Sequence, residues 1–391
     1  MAVNNMTVEQ AYQLIASLHE QATGETTVTP TDLSSFISVA QATLAAGYDN
    51  VLSAISQVVG RTLIAVRPYS RKFSGLEVTT EQWGGIIRKL SFLDEDPEEN
   101  KVYALTDGQS IDMYEVNKPH VIELNYVGSD IWSKHFTIFR DQLNEAFHGP
   151  AELGSFMTGL MTHFSNLREQ WREEMARACL CNFIAGKVSY NDASTIHLLT
   201  EYNTVTGASP AYTTTTIRDP QVWPAFCKWM YGRVADLTDM MTERSELFQA
   251  QITGAKIVRH TPLEMQRCYM MSEFLNSMRA EVLADTYHDS FLTYSDVEAV
   301  NYWQAIDSPD EIQVTPVVID SSGQISTAAA QTLTDVIGVI FDRDAVGYNI
   351  YEDNMYTSPF NVRGEFYNVY NNAKIRYQND FSEKGIVLVL D

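Results

Sequence analysis

The side chains whose types suit chemistry are an acidic run (Asp94, Glu95, Asp96, Glu98, Glu99), a close cysteine pair (Cys179 and Cys181) and eight scattered histidines. The acidic run offers the oxygen ligands that a hard cation takes. It lacks the glycine at the sixth position and the spaced glutamate of a calcium loop, and Pro97 interrupts it, so it reads as a solvated loop. Cysteines two apart on a helix point about 200° away from each other, so Cys179 and Cys181 are expected in a core. With Cys227 and Cys268 they form neither a disulfide framework nor a zinc spacing, which suits a reducing compartment. A site joining His260, Cys268 and His288 would need a juxtaposition that their spacing does not announce. The stretch 366–377, with Tyr367 and Tyr370, has rings that stack a sugar or a base. Tyr and Asn on a strand more often mark a half-buried sheet face or a subunit interface, and the interface is the favoured reading. Phosphate-binding glycine loops, H-E-x-x-H and G-x-S-x-G are missing from the sequence. The expectation is a protein without catalysis, cofactor or metal.

Composition excludes more. The chain has 391 residues with 27 Lys and Arg against 50 Asp and Glu, a net charge of −23, which rules out wrapping nucleic acid through a basic face. Hydrophobic residues make up 45% of it, including 20 Tyr, 17 Phe and 6 Trp, too much for a disordered acidic chain. The apolar runs at 336–341 and 386–390 are far shorter than the ~18 residues of a membrane span. Residues 1–6 lack a basic leader with an apolar stretch, so a soluble, non-exported chain is expected.

The elements that would position these residues are legible in part. Thr7 and Gln10 have capping-box spacing, with Ala11, Leu14, Ile15, Leu18 and Ala22 at helical intervals before Gly24. Asp32 caps a second helix, 49–59 suits a third, and 62–66 reads as a strand. Strand-like pieces at 76–80, 85–93, 121–127 and 136–139 bracket the acidic loop. Their weak local burial implies an excursion that needs a partner, since a lone hairpin is marginal in water. Leu153, Phe156, Met157, Leu160, Phe164, Leu167, Trp171, Met175 and Cys179 recur at three- and four-residue steps after Gly149-Pro150, which predicts one very long amphipathic helix. Further on, a helix is expected from Pro224 to about residue 248, strands at 257–258, 265–271 and 314–319, and a helix capped by Ser272. The last sixty residues turn β: strands at 336–341, 364–377 and 386–390, with a polar loop at 352–361.

This order of elements resembles the major capsid proteins of tailed bacteriophages, the Hong Kong 97-type fold, and most of all those of small short-tailed phages. Asp49-Asn50-Val51-Leu52 through Val58-Val59-Gly60 and the strand to Val66 resemble the helix and strand before the family's extended loop. Residues 151–188 resemble its spine helix. Val339-Ile340-Phe341-Asp342-Arg343-Asp344-Ala345, Asn361-Val362-Arg363-Gly364 onward to Asp380, and 385–390 resemble its late strands. The resemblance implies an α+β fold in five segments. These are an N-terminal arm with entry helices (1–69), an extended β loop (70–140), a peripheral domain with the spine helix (141–194), an axial α/β domain (195–335) and C-terminal strands returning to the peripheral domain (336–391).

It also implies hexamers and pentamers of an icosahedral shell. They would assemble in the bacterial host cytoplasm around a scaffold, with a portal, and come to enclose double-stranded DNA that is contacted weakly and without sequence specificity. No membrane is involved. The short head of the chain implies a separate scaffolding protein, and no cross-linking Lys and Asn can be matched. Inter-subunit contacts are expected at Trp83, Arg88, Lys89, Asp94 and Glu95 of the loop and at Tyr367 and Tyr370. The alternatives are a cellular nanocompartment shell of the encapsulin type and an enzyme with scattered site residues in the central domain.

Overall fold

The computed structural model describes residues 7–27, 29–47, 49–51, 54–55, 69, 71–78, 87–93, 106–108, 110, 114, 116, 118, 120–127, 130–190, 193–250, 257–285, 297–320 and 323–391. The strands in chain order are β1 (Ile87–Phe92), β2 (Val121–Tyr126), β3 (Asp130–Phe139), β4 (Thr195–His197), β5 (Gln266–Met271), β6 (Val297–Val300), β7 (Ile312–Val314), β8 (Val317–Ile319), β9 (Ile325–Thr327), β10 (Gln331–Leu333), β11 (Val336–Asp342), β12 (Val346–Thr357), β13 (Phe366–Asn379) and β14 (Gly385–Val389). The chain clusters into two compact units. One comprises Met1–Gly84, Gly128–Met175 and Asn349–Arg376, and the other comprises Gly85–Val127, Ala176–Tyr348 and Tyr377–Asp391. This division cuts the expected 336–391 segment, because β13 pairs with β3 in the first unit while β14 pairs with β11 and β4 in the second.

In the first unit, helix Val8–Thr23 starts as its sequence dictates. The Gln10 amide donates to Thr7 Oγ1 at 3.3 Å and the Thr7 amide to Gln10 Oε1 at 2.9 Å. Gly24 ends it at φ 78°, a left-handed conformation that glycine adopts without strain. Asp32 caps Leu33–Ala45 by accepting from the Ser35 amide at 2.7 Å. The helix Pro150–Ser189 has 40 residues and is about 60 Å long at ~1.5 Å per residue. Its Leu153, Met157, Met161 and Phe164 share one core with Ile15, Leu18, Phe36, Ala40, Tyr367 and Val369, each large side chain worth ~1.5–3 kcal/mol when buried. A three-stranded sheet, β12–β13–β3, closes this core.

The second unit is built on a five-stranded sheet in the order β4–β14–β11–β5–β6. Its inner pairs are antiparallel and its outer pairs parallel. Every residue of β11 and β14 is buried. A Cβ at Gly338 would meet the Tyr269 carbonyl oxygen at 3.0 Å, so glycine permits this close approach of strands. The spine helix changes character here: Ala176, Leu180, Phe183, Ile184 and Ala185 are all enclosed, and Phe183 stacks on Phe381 with ring centres 5.5 Å apart.

Five expectations are corrected. Residues 352–361 are not simply a loop, since β12 runs to Thr357. Its acids are tolerated on a strand because Asp353 meets Arg168 and accepts from Asn371 at 2.6 Å, while Glu352 meets Lys374. The expected strand 314–319 is two, β7 and β8, broken at Thr315-Pro316, where proline removes a ladder donor. The helix that holds Pro224 in its first turn ends at Thr242 rather than near 248, with Glu243 already extended. Leu76 lies in one 3-10 turn, Ser74–Leu76, and Arg259 forms a single bridge to Ser245 rather than a strand at 257–258. The expected strand 62–66 and most of the third helix lie outside the described residues; Val51, Ala54 and Ile55 of that helix are helical and buried.

Candidate assembly surfaces

β1 and β2 form a two-stranded antiparallel ribbon, registered from Ile87 opposite Tyr126 to Phe92 opposite Val121. Because directly opposed residues share a face, the register sorts the ribbon into two sides. Ile87, Lys89, Ser91, Ile122, Leu124 and Tyr126 form the inner side, and Arg88, Leu90, Phe92, Val121, Glu123 and Asn125 the open one. The open side carries large apolar groups in water: Leu90 is 55% exposed, Phe92 66% and Val121 48%. Arg88 and Glu123 pair across it at 2.5 Å. Beside the ribbon, β2 borders a cleft of about 740 Å³ that is lined also by Ala178, Cys179 and Asn182 of the spine helix and by the β8–β9 hairpin.

The inner side is held by charge. Lys89 Nζ lies 2.7 Å from Asp380 Oδ2 and 2.5 Å from Glu383 Oε1. Arg259 approaches Glu383 at 3.1 Å and donates to Ser91 Oγ at 2.8 Å and Ser382 Oγ at 3.2 Å. Asp380 is wholly buried, and its Oδ1 accepts from the Ser382 amide and hydroxyl at 2.9 and 2.5 Å. Burial works against ionising Lys89, Asp380 and Glu383, and the partners decide the outcome for each. Asp380 and Glu383 overcome burial to hold the Lys89 ammonium above its ordinary range, and Lys89 and Ser382 hold the Asp380 carboxyl below its own. Burial prevails at Glu383, with the Asp380 charge adding to it, and its carboxyl is pushed up. Burial also pushes up the nearby Tyr126 hydroxyl.

The turn that supplies these acids is itself fixed. Lys187 of the spine helix is fully buried and donates to the carbonyls of Phe248, Phe381 and Glu383 at 3.0, 3.1 and 2.9 Å. Lys384 donates to the Glu243 carbonyl at 2.7 Å and to Ser245 Oγ at 2.8 Å.

The structure therefore separates the residues expected at contacts. Arg88 stands on the open side, while Lys89 faces the opposite way and pairs within its own chain. Trp83, Asp94 and Glu95 lie outside the described residues. Tyr367 is a correction: at 1% exposure, packed 4.9 Å from Phe360, it is a core residue with no surface to offer. Tyr370 points to the other face of β13 and lies against His135 with ring centres 5.4 Å apart. Sequence reading missed Asp380 and Arg259, because 380–384 has the composition of an ordinary turn and Arg259 reaches it only through the fold.

Burial pushes all four cysteine thiols up to about 12, which keeps them protonated and unreactive at neutral pH. Among the described residues no group of three His, Cys, Asp or Glu could hold a metal, and no helix is long and apolar enough to cross a membrane. His288 lies outside the described residues.

A helix-spined α+β chain that leaves an apolar ribbon face in water has the construction of a shell subunit, and solved phage structures share its fold. A chain of the capsid structure of Staphylococcus phage Andhra matches with TM-score 0.54 and 11% identity, over 84% of this chain and 86% of that one. A chain in the structure of the head fiber and inner core protein gp22 of native bacteriophage P68 matches with TM-score 0.56 and 11% identity, over 84% and 87%. No curated protein matches. The model of the Phi29-like phage major capsid protein family matches residues 14–388, and the chain belongs to that family. It is a tailed-phage head shell protein, a structural component of the virion that assembles with copies of itself. The family favours a viral head over a cellular nanocompartment.

Proposed function

We propose that the open side of the β1–β2 ribbon is the surface through which each copy engages the next. The shell is made of hexamers and pentamers, built in the host cytoplasm on a separate scaffolding protein with a portal, and it encloses double-stranded DNA without gripping it. In this reading residues 70–140 act as the extended loop, 141–194 as part of a peripheral domain and 195–335 as the axial domain, and the protein performs no catalysis. The observation that carries the reading is the exposure of Leu90, Phe92 and Val121 side by side on a ribbon whose opposite side is already anchored. An isolated apolar face of this kind is an association surface or a liability. The net charge of −23 suits a wall past which an anionic polymer must slide.

The test is to replace residues 90–122 by a short Gly-Ser linker in the full chain and to co-express it with a candidate scaffold. The expected outcome is a folded subunit, by its cooperative melt, that forms no shells in negative-stain micrographs. Shells of normal size would overturn the reading.

A further inference from the structure

We infer that Lys89 is a positioning residue for shell assembly: by bridging Asp380 and Glu383 it straps the root of the ribbon to the turn before β14, and so sets where the open side meets a neighbouring copy. The inference rests on the proposed role of that open side and adds to it the device that aims it.

Among the described residues, the inner side of the ribbon has little else to hold it. Ile87, Ile122, Leu124 and Tyr126 are only half-buried, so apolar burial alone gives a loose seat. Two polar tethers, two residues apart on one strand, fix the ribbon instead. Lys89 reaches Asp380 and Glu383, and Ser91 accepts from Arg259. Two attachment points set both position and twist, which a single contact leaves free. The receiving turn cannot follow the ribbon, because Lys187 holds three carbonyls around it and the Asp380 amide donates to the Ala345 carbonyl at 2.7 Å. The charges at the crossing balance: Lys89 and Arg259 face Asp380 and Glu383, with the Tyr126 hydroxyl buried beside them. A balanced quartet of two buried carboxylates and two half-buried cations adds little net stability compared with an apolar packing of the same volume, and its proposed part is to fix geometry. That combination suits an element whose task is orientation.

Removing Lys89 alone leaves a buried carboxylate short of its cation and endangers the fold, so the decisive variant is the full-length double substitution Lys89→Met with Asp380→Asn, which removes one charge of each sign. Hydrogen exchange and shell yield are read together. Amides of residues 87–92 and 121–126 are expected to exchange about tenfold faster or more, while those of β11 are unchanged, since only the local opening is affected. Shell yield is expected to fall about tenfold with it, the aim of the ribbon being lost with its tether. Lys89→Arg keeps a cation between the carboxylates and is expected to hold ribbon protection within about threefold of the wild type.

Unchanged ribbon exchange in the double variant, normal shell yield despite faster exchange, or a loss in Lys89→Arg equal to that of the double variant would each overturn the strap. The linker replacement of residues 90–122 separates this from the broader reading. If that variant assembles, the ribbon reading fails; if it does not while the double variant does, only the strap fails.

Discussion

β11 and β14 bury all of their residues and meet their neighbours through Val, Ile, Leu and Phe side chains, whereas β1 and β2 in the same unit bury one side halfway and leave the other in water. Both are antiparallel pairs, β1–β2 in an unbroken register and β11–β14 with one shift between Val336 and Gly338, so the direction of pairing does not separate them. What differs is what surrounds the pair. The central sheet is held by apolar area and close approach, as at Gly338. The ribbon is held through Lys89 and Arg259 at a polar turn, and Leu90, Phe92 and Val121 point away from the unit that supports it. One region is closed within its own unit, and the other is the one proposed to be completed by a neighbouring copy.

The sharpest way to break this contrast is to place the same carboxylate in both regions. Val339→Asp, at a position with no exposure, is expected to abolish the cooperative melt. A buried unpaired charge costs several kcal/mol against a total margin of about 5–15 kcal/mol. Leu90→Asp, on the open side, is expected to move the unfolding free energy by no more than about 0.5 kcal/mol and yet to stop shell formation. Denaturant titration and negative-stain microscopy check the pair. A folded Val339→Asp, or a Leu90→Asp that assembles normally, would erase the distinction.

A smaller effect is expected from Asp380→Asn, read against pH. The Asp380 carboxyl is held below its ordinary value of 3.8, so the stability it contributes is present above pH 3.8 and lost as pH falls through the lowered folded value. Below pH 3.8 the wild-type melting temperature is therefore expected to drop more steeply than that of the variant. Glu383, raised above 4.5 by burial and by the Asp380 charge, acts in the opposite direction and loses part of that shift in the variant, so the difference between the melting curves reports the coupled pair rather than Asp380 alone. The smallest effect is expected from Arg88→Gln: an unchanged melting temperature, with shell yield less sensitive to salt than in the wild type, measured by sedimentation from low to high ionic strength.

Much of the fold was legible from local signals. The capping pair Thr7 with Gln10, the cap at Asp32, the apolar spacing of the spine helix after Gly149-Pro150 and the apolar run of β11 all depend on near neighbours, and each element formed where its residues indicated. β12 was hidden because its acids gain their partners from Arg168 and Lys374, far away in sequence. Pro316 was visible, but the apolar residues around it suggested one strand where there are two. At the assembly surface the ribbon could be read and its sidedness could not. Arg88 and Lys89 are adjacent and chemically alike, and only the register sends one outward and the other to Asp380. Tyr367 and Tyr370 differ in the same way, since a three-residue step along a strand reverses the face.

The bond between Lys89 and Asp380 spans 291 positions of sequence. At ribosomal rates of about 5–20 residues per second, roughly 15–60 s separate the synthesis of the ribbon from that of the turn that anchors it. Over that interval a nascent chain owns its sticky face without the means to aim it. Anchoring comes within a few residues of β14, the strand that seats between β4 and β11. On the strap proposal, a chain not yet translated as far as this turn lacks the anchor that directs its ribbon.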